Sequence, residues 1–231
     1  MWSIPEFDNP AEDQFIHMLL LDERLGKIQA TAKKGLIKKI KEEVQEGEVY
    51  EVENMLVTHN DAGHAATKHK FRINLYDKTN FVRVTESNIP KYHFDLVGFQ
   101  QIMDFEKEDL FVDIIGHIVE KDPVKETEKN GKKMRLIDTT LEDAEGRRIH
   151  CTLWNHYADQ LENFFATYES TSPVIVLLQL AKTKKFYGSM GVATAYYGTK
   201  LIINEDLPVT SKNGLKINYM SLYQESRPKM V

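Results

Sequence analysis

One supersecondary pattern occurs twice in this chain, and that repetition restricts the fold more than any single motif does. Leu20-Leu21-Asp22 precedes Gly26-Lys27-Ile28-Gln29-Ala30-Thr31-Ala32. About 120 residues later, Leu136-Ile137-Asp138 precedes Gly146-Arg147-Arg148-Ile149-His150-Cys151-Thr152-Leu153-Trp154. Each copy spells an apolar strand ending in Asp, a Gly-containing turn and a returning strand, which is a β-hairpin signature. A helix follows in both. Leu36, Ile37, Ile40 and Val44 recur at helical spacing in the first copy, and Tyr157, Ala158, Leu161 and Phe165 in the second. Strand-like runs then resume at 48–57 and 71–75, and at 174–180, 191–197 and 201–204.

Strands, one helix, then more strands is the order of a small closed barrel with a helix between its third and fourth strands, the OB-fold. The expected fold class is all-β with one short helix per domain, as two tandem OB-fold barrels. The second copy has a full first strand at 110–120, whereas the first has only residues 1–4 in that place and is expected to be clipped. The boundaries that follow are a first OB domain at 1–88, a linker at 89–108, a second OB domain at 109–210 and a C-terminal tail at 211–231. Tyr92, Phe94 and Phe99 in the linker are expected to tuck against a barrel.

Composition narrows the function. One cysteine, Cys151, excludes an internal disulfide framework and any zinc site built on several thiolates, and it fits a reducing compartment. No apolar run approaches the ~20 residues that span a bilayer, and the first eight residues lack the cationic and apolar run of a secretory signal. There is no P-loop, Gly-x-Ser-x-Gly or zinc-protease motif, so catalytic residues are none, and neither a cofactor nor a small-molecule substrate is expected. His59, His64 and His69 with Asp61 recur every five residues, a spacing that throws strand neighbours to opposite faces, and no metal site is expected. The net charge of −5 argues against tight binding of nucleic acid by charge alone. It is unevenly spread: residues 1–105 hold 13 Lys or Arg against 17 Asp or Glu, the remainder 17 against 18.

The chemistry-bearing pattern is an aromatic at the end of one strand, Trp154, and another in a basic hairpin, Phe186 within Lys182-Thr183-Lys184-Lys185-Phe186-Tyr187-Gly188. Separated aromatics interleaved with cations make a platform for unpaired bases, worth ~1–3 kcal/mol per base whatever the base. Val112-Asp113-Ile114-Ile115-Gly116, Leu136-Ile137-Asp138, Cys151-Thr152-Leu153-Trp154, Phe186-x-Gly188 and Leu201-Ile202-Ile203-Asn204-Glu205-Asp206-Leu207-Pro208 follow one another in a recognisable order. In that order the chain resembles the tandem single-strand-binding OB domains of the replication protein A large subunit, especially the plant versions.

The resemblance implies that Trp154 and Phe186 stack on bases and that Lys182 lies near phosphates, with Lys184 and Lys185 added by proximity. In the first copy Trp2 stands at the barrel entry, Lys33 corresponds to the first stacking aromatic, and the second falls near His64. Lys34 at the strand–helix junction is expected to point into the groove, and Lys68, Lys70 and Arg72, alternating along one strand, to line it. The implied function is binding of single-stranded DNA with low sequence specificity in replication, repair or recombination, in the nucleus. Implied partners are single-stranded DNA and other replication protein A subunits or repair proteins. The family's N-terminal recruitment domain and zinc-bearing C-terminal domain have no counterpart in these residues, which suggests a core binding fragment or a stand-alone paralogue. An adaptor for protein contacts is the competing expectation, and RNA as ligand is a third.

Overall fold

The structure, a computed structural model, describes residues 1–60, 65–129, 131–205, 208–210 and 216–218. They form two compact units whose main bodies are Met1–His93 and Phe94–Val209. The first carries β1 (Trp2–Pro5), β2 (Asp13–Leu21), β3 (Lys27–Lys33), α1 (Lys34–Glu43), β4 (Val49–Glu53), β5 (Leu56–His59), β6 (Phe71–Asn74) and β7 (Asn80–Val84). Its sheet runs β1-β2-β3-β6-β5, with β4 and β7 paired beside it. Alternation along β2 and β3 turns Ile16, Met18, Ala30 and Ala32 inward, and α1 lays Ile37 and Ile40 on them, with Val44 at its C-cap joining the same core.

The second unit carries α2 (Phe99–Met103), β8 (Phe111–Lys121), β9 (Lys125–Lys129), β10 (Lys132–Glu142), β11 (Arg148–Trp154), α3 (His156–Thr167), β12 (Ile175–Phe186), β13 (Ser189–Thr194) and β14 (Lys200–Ile203). The pairings β8–β10, β10–β11, β11–β13, β13–β12 and β12–β8 close a five-stranded barrel. The β11–β13 pair is parallel and α3 joins the third strand to the fourth, the OB topology. Two OB domains in tandem, mostly β, is the fold read from the repeat. Most positions picked out by helical spacing are buried: Tyr157, Ala158 and Leu161 sit in the second core with Ile149, Cys151 and Leu153 of β11, while Leu36 and Phe165 are partly buried against their cores.

The fourth strand changes direction in each unit. In β12 the register shifts between Leu178 and Ala181, and Leu180 has φ +56. Before the bend the strand pairs with β14, and after it with β13. A bulge of this kind frees backbone groups, and buried ones must find partners. Here the buried Asp113 carboxylate accepts the Leu180 N–H at 2.9 Å, and Thr199 Oγ1 donates to the Leu180 carbonyl at 2.8 Å. In the first unit the bend separates β4 from β5 at Asn54, φ +57, and Thr79 Oγ1 donates to the Asn54 carbonyl at 2.8 Å. The same device therefore recurs in sequences that share nothing at this point beyond a threonine.

Two expectations need correction. Asp138 does not end its strand as Asp22 does, because β10 continues to Glu142 and Asp138 lies mid-strand opposite Thr152. The turn partner of Asp22 is Asp143. Asp22 Oδ1 accepts the N–H groups of Arg24 and Gly26, and Asp143 Oδ1 those of Glu145 and Arg147. Lys68 and Lys70 are not on one strand with Arg72, since β6 begins at Phe71. Asn60 Nδ2 donates to the Thr67 and His69 carbonyls and gathers the preceding residues into a bend. Leu207 and nearly all of the tail at 211–231 lie outside the described residues.

Residues 89–108 contribute Phe94, Phe99 and Ile102 to buried positions in the second unit. Phe99 sits over Gly116: a Cβ there would lie 2.8 Å from Phe99 Cζ and 3.0 Å from the Glu142 carbonyl oxygen. Gly116→Ala is expected to destabilise the second unit by about 1–3 kcal/mol through overpacking, with partial recovery when Phe99→Leu is added. Urea unfolding of the two variants and the double mutant checks this.

Candidate nucleic-acid interface

The second barrel's outward face follows from the residues its core claims. Ile149, Cys151 and Leu153 point inward on β11, so His150, Thr152 and Trp154 point outward. Cys151 pairs with Val192, and Thr183 also lies opposite Val192, which leaves Gly191 and Ala193 of β13 and Lys182, Lys184 and Phe186 of β12 on that same outward side. Phe111 of β8 continues it, with Lys182 Nζ 5.3 Å from its ring centroid. The sheet thus brings Trp154, Phe186, Lys182 and Lys184 to one face. The Lys185 side chain alternates away from that face, and its backbone N–H donates to Glu108 Oε1 at 2.8 Å.

Neither aromatic is a core residue, and both are half-buried. Trp154 is anchored by its backbone N–H, which donates to Thr194 Oγ1 at 2.9 Å. The Phe186 ring packs against His150, centroids 4.2 Å apart and tilted 47°. It lies across Gly191, where a Cβ would meet Phe186 Cδ2 at 2.7 Å and the His150 carbonyl oxygen at 2.7 Å. Glycine at 191 is what lets the ring lie along the sheet.

His150 is itself held. Its Nε2 is 3.2 Å from Asp138 Oδ1 and 3.1 Å from Thr152 Oγ1, and Thr152 donates to Asp138 Oδ1 at 2.7 Å. Burial alone would raise the Asp138 carboxyl. The hydrogen bonds from Thr152 and Lys125, with the nearby His150, outweigh it and hold the group below its ordinary value. The Cys151 thiol behind this face is pushed up to about 12 by burial and is chemically quiet.

The lysines are not bare. Asp109 Oδ1 lies 2.8 Å from Lys184 Nζ and 3.7 Å from Lys182 Nζ. The hydrogen bond from Lys184 holds the Asp109 carboxyl below its usual range, against a smaller opposing effect of burial.

The same frame carries different residues in the first unit. Thr31 pairs with Asn74 as Thr152 pairs with Ala193, so Lys33 falls where Trp154 stands and Arg72 where Gly191 stands. His59 pairs with Phe71 as Lys185 pairs with Met190, which puts Asn60 in register with Phe186. His64, expected near that place, lies outside the described residues, as does Asp61. Lys33 is exposed, and Lys34 is tied to Glu6 and Glu12. Lys70 Nζ sits 5.4 Å from the Phe71 ring centroid.

Trp2 and His17 pair across β1 and β2, their rings 5.5 Å apart, and Phe15 stacks with His17 at 6.1 Å. Arg72 Nε is buried with no hydrogen-bond partner among the described residues. Burial lowers the His17 pKa, and the Arg72 charge lowers it further.

Three residues of the second face escaped the sequence reading. Asp109 and His150 carry no motif, and only the fold brings them to the lysines and to Phe186. Tyr187 was readable, since it adjoins Phe186. It is fully exposed at the tip of a two-residue turn in which Tyr187 and Gly188 have φ +50 and +89, the type I′ geometry.

Comparison with known proteins supports the resemblance. Residues 99–203 match the family model described as Replication protein A OB domain, and residues 6–105 match one described as Domain of unknown function DUF223. Replication factor A protein 1 of Saccharomyces cerevisiae is 33% identical over 136 residues, covering 58% of this chain and 22% of that protein. A 70 kDa DNA-binding subunit of replication protein A from Oryza sativa subsp. japonica is 26% identical over 195 residues, covering 81% of this chain and 29% of that protein. The chain therefore spans less than a third of the length of either relative. A solved replication protein A heterotrimer bound to ssDNA aligns with 91% of this chain and 46% of its own, at 19% identity and a TM-score of 0.57, a likeness of fold.

Gly191→Ala is expected to cost about 1–3 kcal/mol of stability by forcing the Phe186 ring and the His150 carbonyl apart. The loss of Phe186 ring-current shifts on His150 in NMR spectra would register the displacement. In the first unit, burial and the Arg72 charge lower the His17 pKa, so the unfolded chain binds a proton there more readily than the folded one. Stability is whole above pH about 6.5 and declines as pH falls from there through the lowered folded value. His17→Gln is expected to flatten that decline in urea midpoints measured between pH 7.5 and 5.

Proposed function

We propose that this chain, related in sequence to the large subunit of replication protein A, binds single-stranded DNA with little sequence preference and serves DNA replication, repair or recombination in the nucleus. The observation that carries the reading is the convergence of Trp154, Phe186, Lys182 and Lys184 on one outward sheet face. Two half-exposed rings offer π-surfaces to successive bases, and the lysines between them meet the backbone phosphates. Base edges are not read by such a face, because stacking needs no hydrogen-bond pattern.

In the first domain Lys33, Arg72 and the Trp2–His17 pair supply cations and rings in other places, so its share of the affinity is expected to be smaller. Lys34, Lys68, Lys70 and Lys185 add at most long-range attraction. Binding, not catalysis, is the activity, and other replication protein A subunits and repair proteins are the natural protein partners.

An oligo-dT of about thirty nucleotides, followed by fluorescence anisotropy, tests the site. Trp154→Ala and Phe186→Ala are each expected to weaken binding by ~1–3 kcal/mol, roughly five- to 150-fold. Lys184→Ala should weaken it more than Lys185→Ala and flatten the salt dependence, as loss of a phosphate contact does. Unchanged affinity in the Trp154→Ala, Phe186→Ala double mutant would remove the stacking site. No binding by the wild type at low salt would turn the search to protein partners.

A further inference from the structure

The phosphate-facing lysines of the second domain already hold an anion, and it belongs to the chain. The segment just before β8 is strapped along β12 by its backbone. The Asp109 N–H donates to the Thr183 carbonyl at 2.8 Å, the Thr183 N–H to the Leu110 carbonyl at 2.9 Å, and the Leu110 N–H to Thr183 Oγ1 at 3.1 Å. Thr183 is fully buried, so this strap is fixed to the barrel. Asp109 sits on it at φ +61, a conformation that an aspartate or asparagine tolerates better than most residues. From there its Oδ1 reaches both Lys184 and Lys182.

We infer that Asp109 is a built-in competitor for the phosphate subsite, occupying Lys182 and Lys184 in the free protein and giving way to a DNA phosphate on binding. The inference rests on the single-strand reading and deepens it. Its consequence is ionic. A phosphate that takes the lysines leaves the Asp109 carboxylate to gather a cation from solution, which cancels part of the counterion release that drives binding. Asp109 thereby lowers the affinity and softens the salt dependence at this subsite, and it discriminates against ligands whose anions are too weak or too sparse to displace it.

Asp109→Asn tests this, because it keeps the size and the backbone preference while removing the charge. Glu108→Gln is the control. It removes the same formal charge one residue away, and the Glu108 carboxylate bonds the Lys185 N–H instead of an ammonium group. Oligo-dT affinity is measured for the wild type and both variants across a salt series.

Asp109→Asn is expected to bind about two- to fivefold tighter, the range for releasing an exposed ion pair. Its log–log salt slope should be steeper by ~0.7, one further phosphate contact's worth on a single strand. Glu108→Gln should show a smaller gain and no change of slope. Equal gains in the two variants, or an Asp109→Asn affinity and slope matching the wild type, would overturn the competitor role while Trp154→Ala and Phe186→Ala still report the site. If neither the wild type nor Asp109→Asn binds at low salt, the single-strand reading fails and this inference falls with it.

Discussion

The bend at Leu180 is the constraint on which the second barrel depends. A straight β12 would pair with one neighbour along its whole length. The bent one pairs with β14 before the bulge and β13 after it, and so closes the sheet. The bulge is sustainable because both backbone groups of Leu180 are satisfied by buried side chains, Asp113 at the N–H and Thr199 at the carbonyl. An unpaired buried group would cost ~1–3 kcal/mol. The bend also sets the phase of alternation beyond it, and that phase decides that Lys182, Lys184 and Phe186 face outward together. Asp113 further accepts the Asp95 N–H, which ties the segment entering the domain to the same point.

Electrostatics on this face is local. A chain with a net charge of −5 has no broad positive field to attract nucleic acid. Its cations are arranged in pairs and networks: Lys182 and Lys184 with Asp109, Lys125 with Asp122 and Asp138, Arg135 with Asp159. Exposed pairs of this kind contribute little to stability, so they leave the lysines free to exchange partners. On the proposed reading, recognition falls mainly to the aromatic surfaces, since base stacking does not depend on salt as phosphate contacts do.

The two units use one frame for unlike surfaces. Where the second has Gly191 beneath the Phe186 ring, the first has Arg72, whose charge is near enough to His17 to lower its pKa. Where the second has Trp154, the first has Lys33. The aromatic surface of the first unit moves instead to β1 and β2, at Trp2, His17 and Phe15. Core positions tolerate little change because they must pack, as Ala30 and Cys151 do at corresponding places, whereas the outward face is free to diverge.

The sequence alone determined the repeat, the helices α1 and α3, the barrel order and the two aromatics, Trp154 and Phe186, that the second sheet face carries. These rest on short-range signals: periodicity of apolar residues, turn chemistry, and an aromatic ending an apolar strand. It misplaced the hairpin partner of Asp22, since Asp138 and Asp143 both follow an apolar stretch and only the ladder distinguishes them. Tertiary structure decided the rest. It separated Lys184 from Lys185 by the phase of β12, took Lys68 and Lys70 off the strand of Arg72, and brought Asp109 to Lys184 from 75 residues away in the chain. Which charges meet across such separations depends on strand register and on a single bulge, and neither leaves a periodic trace in the order of the amino acids.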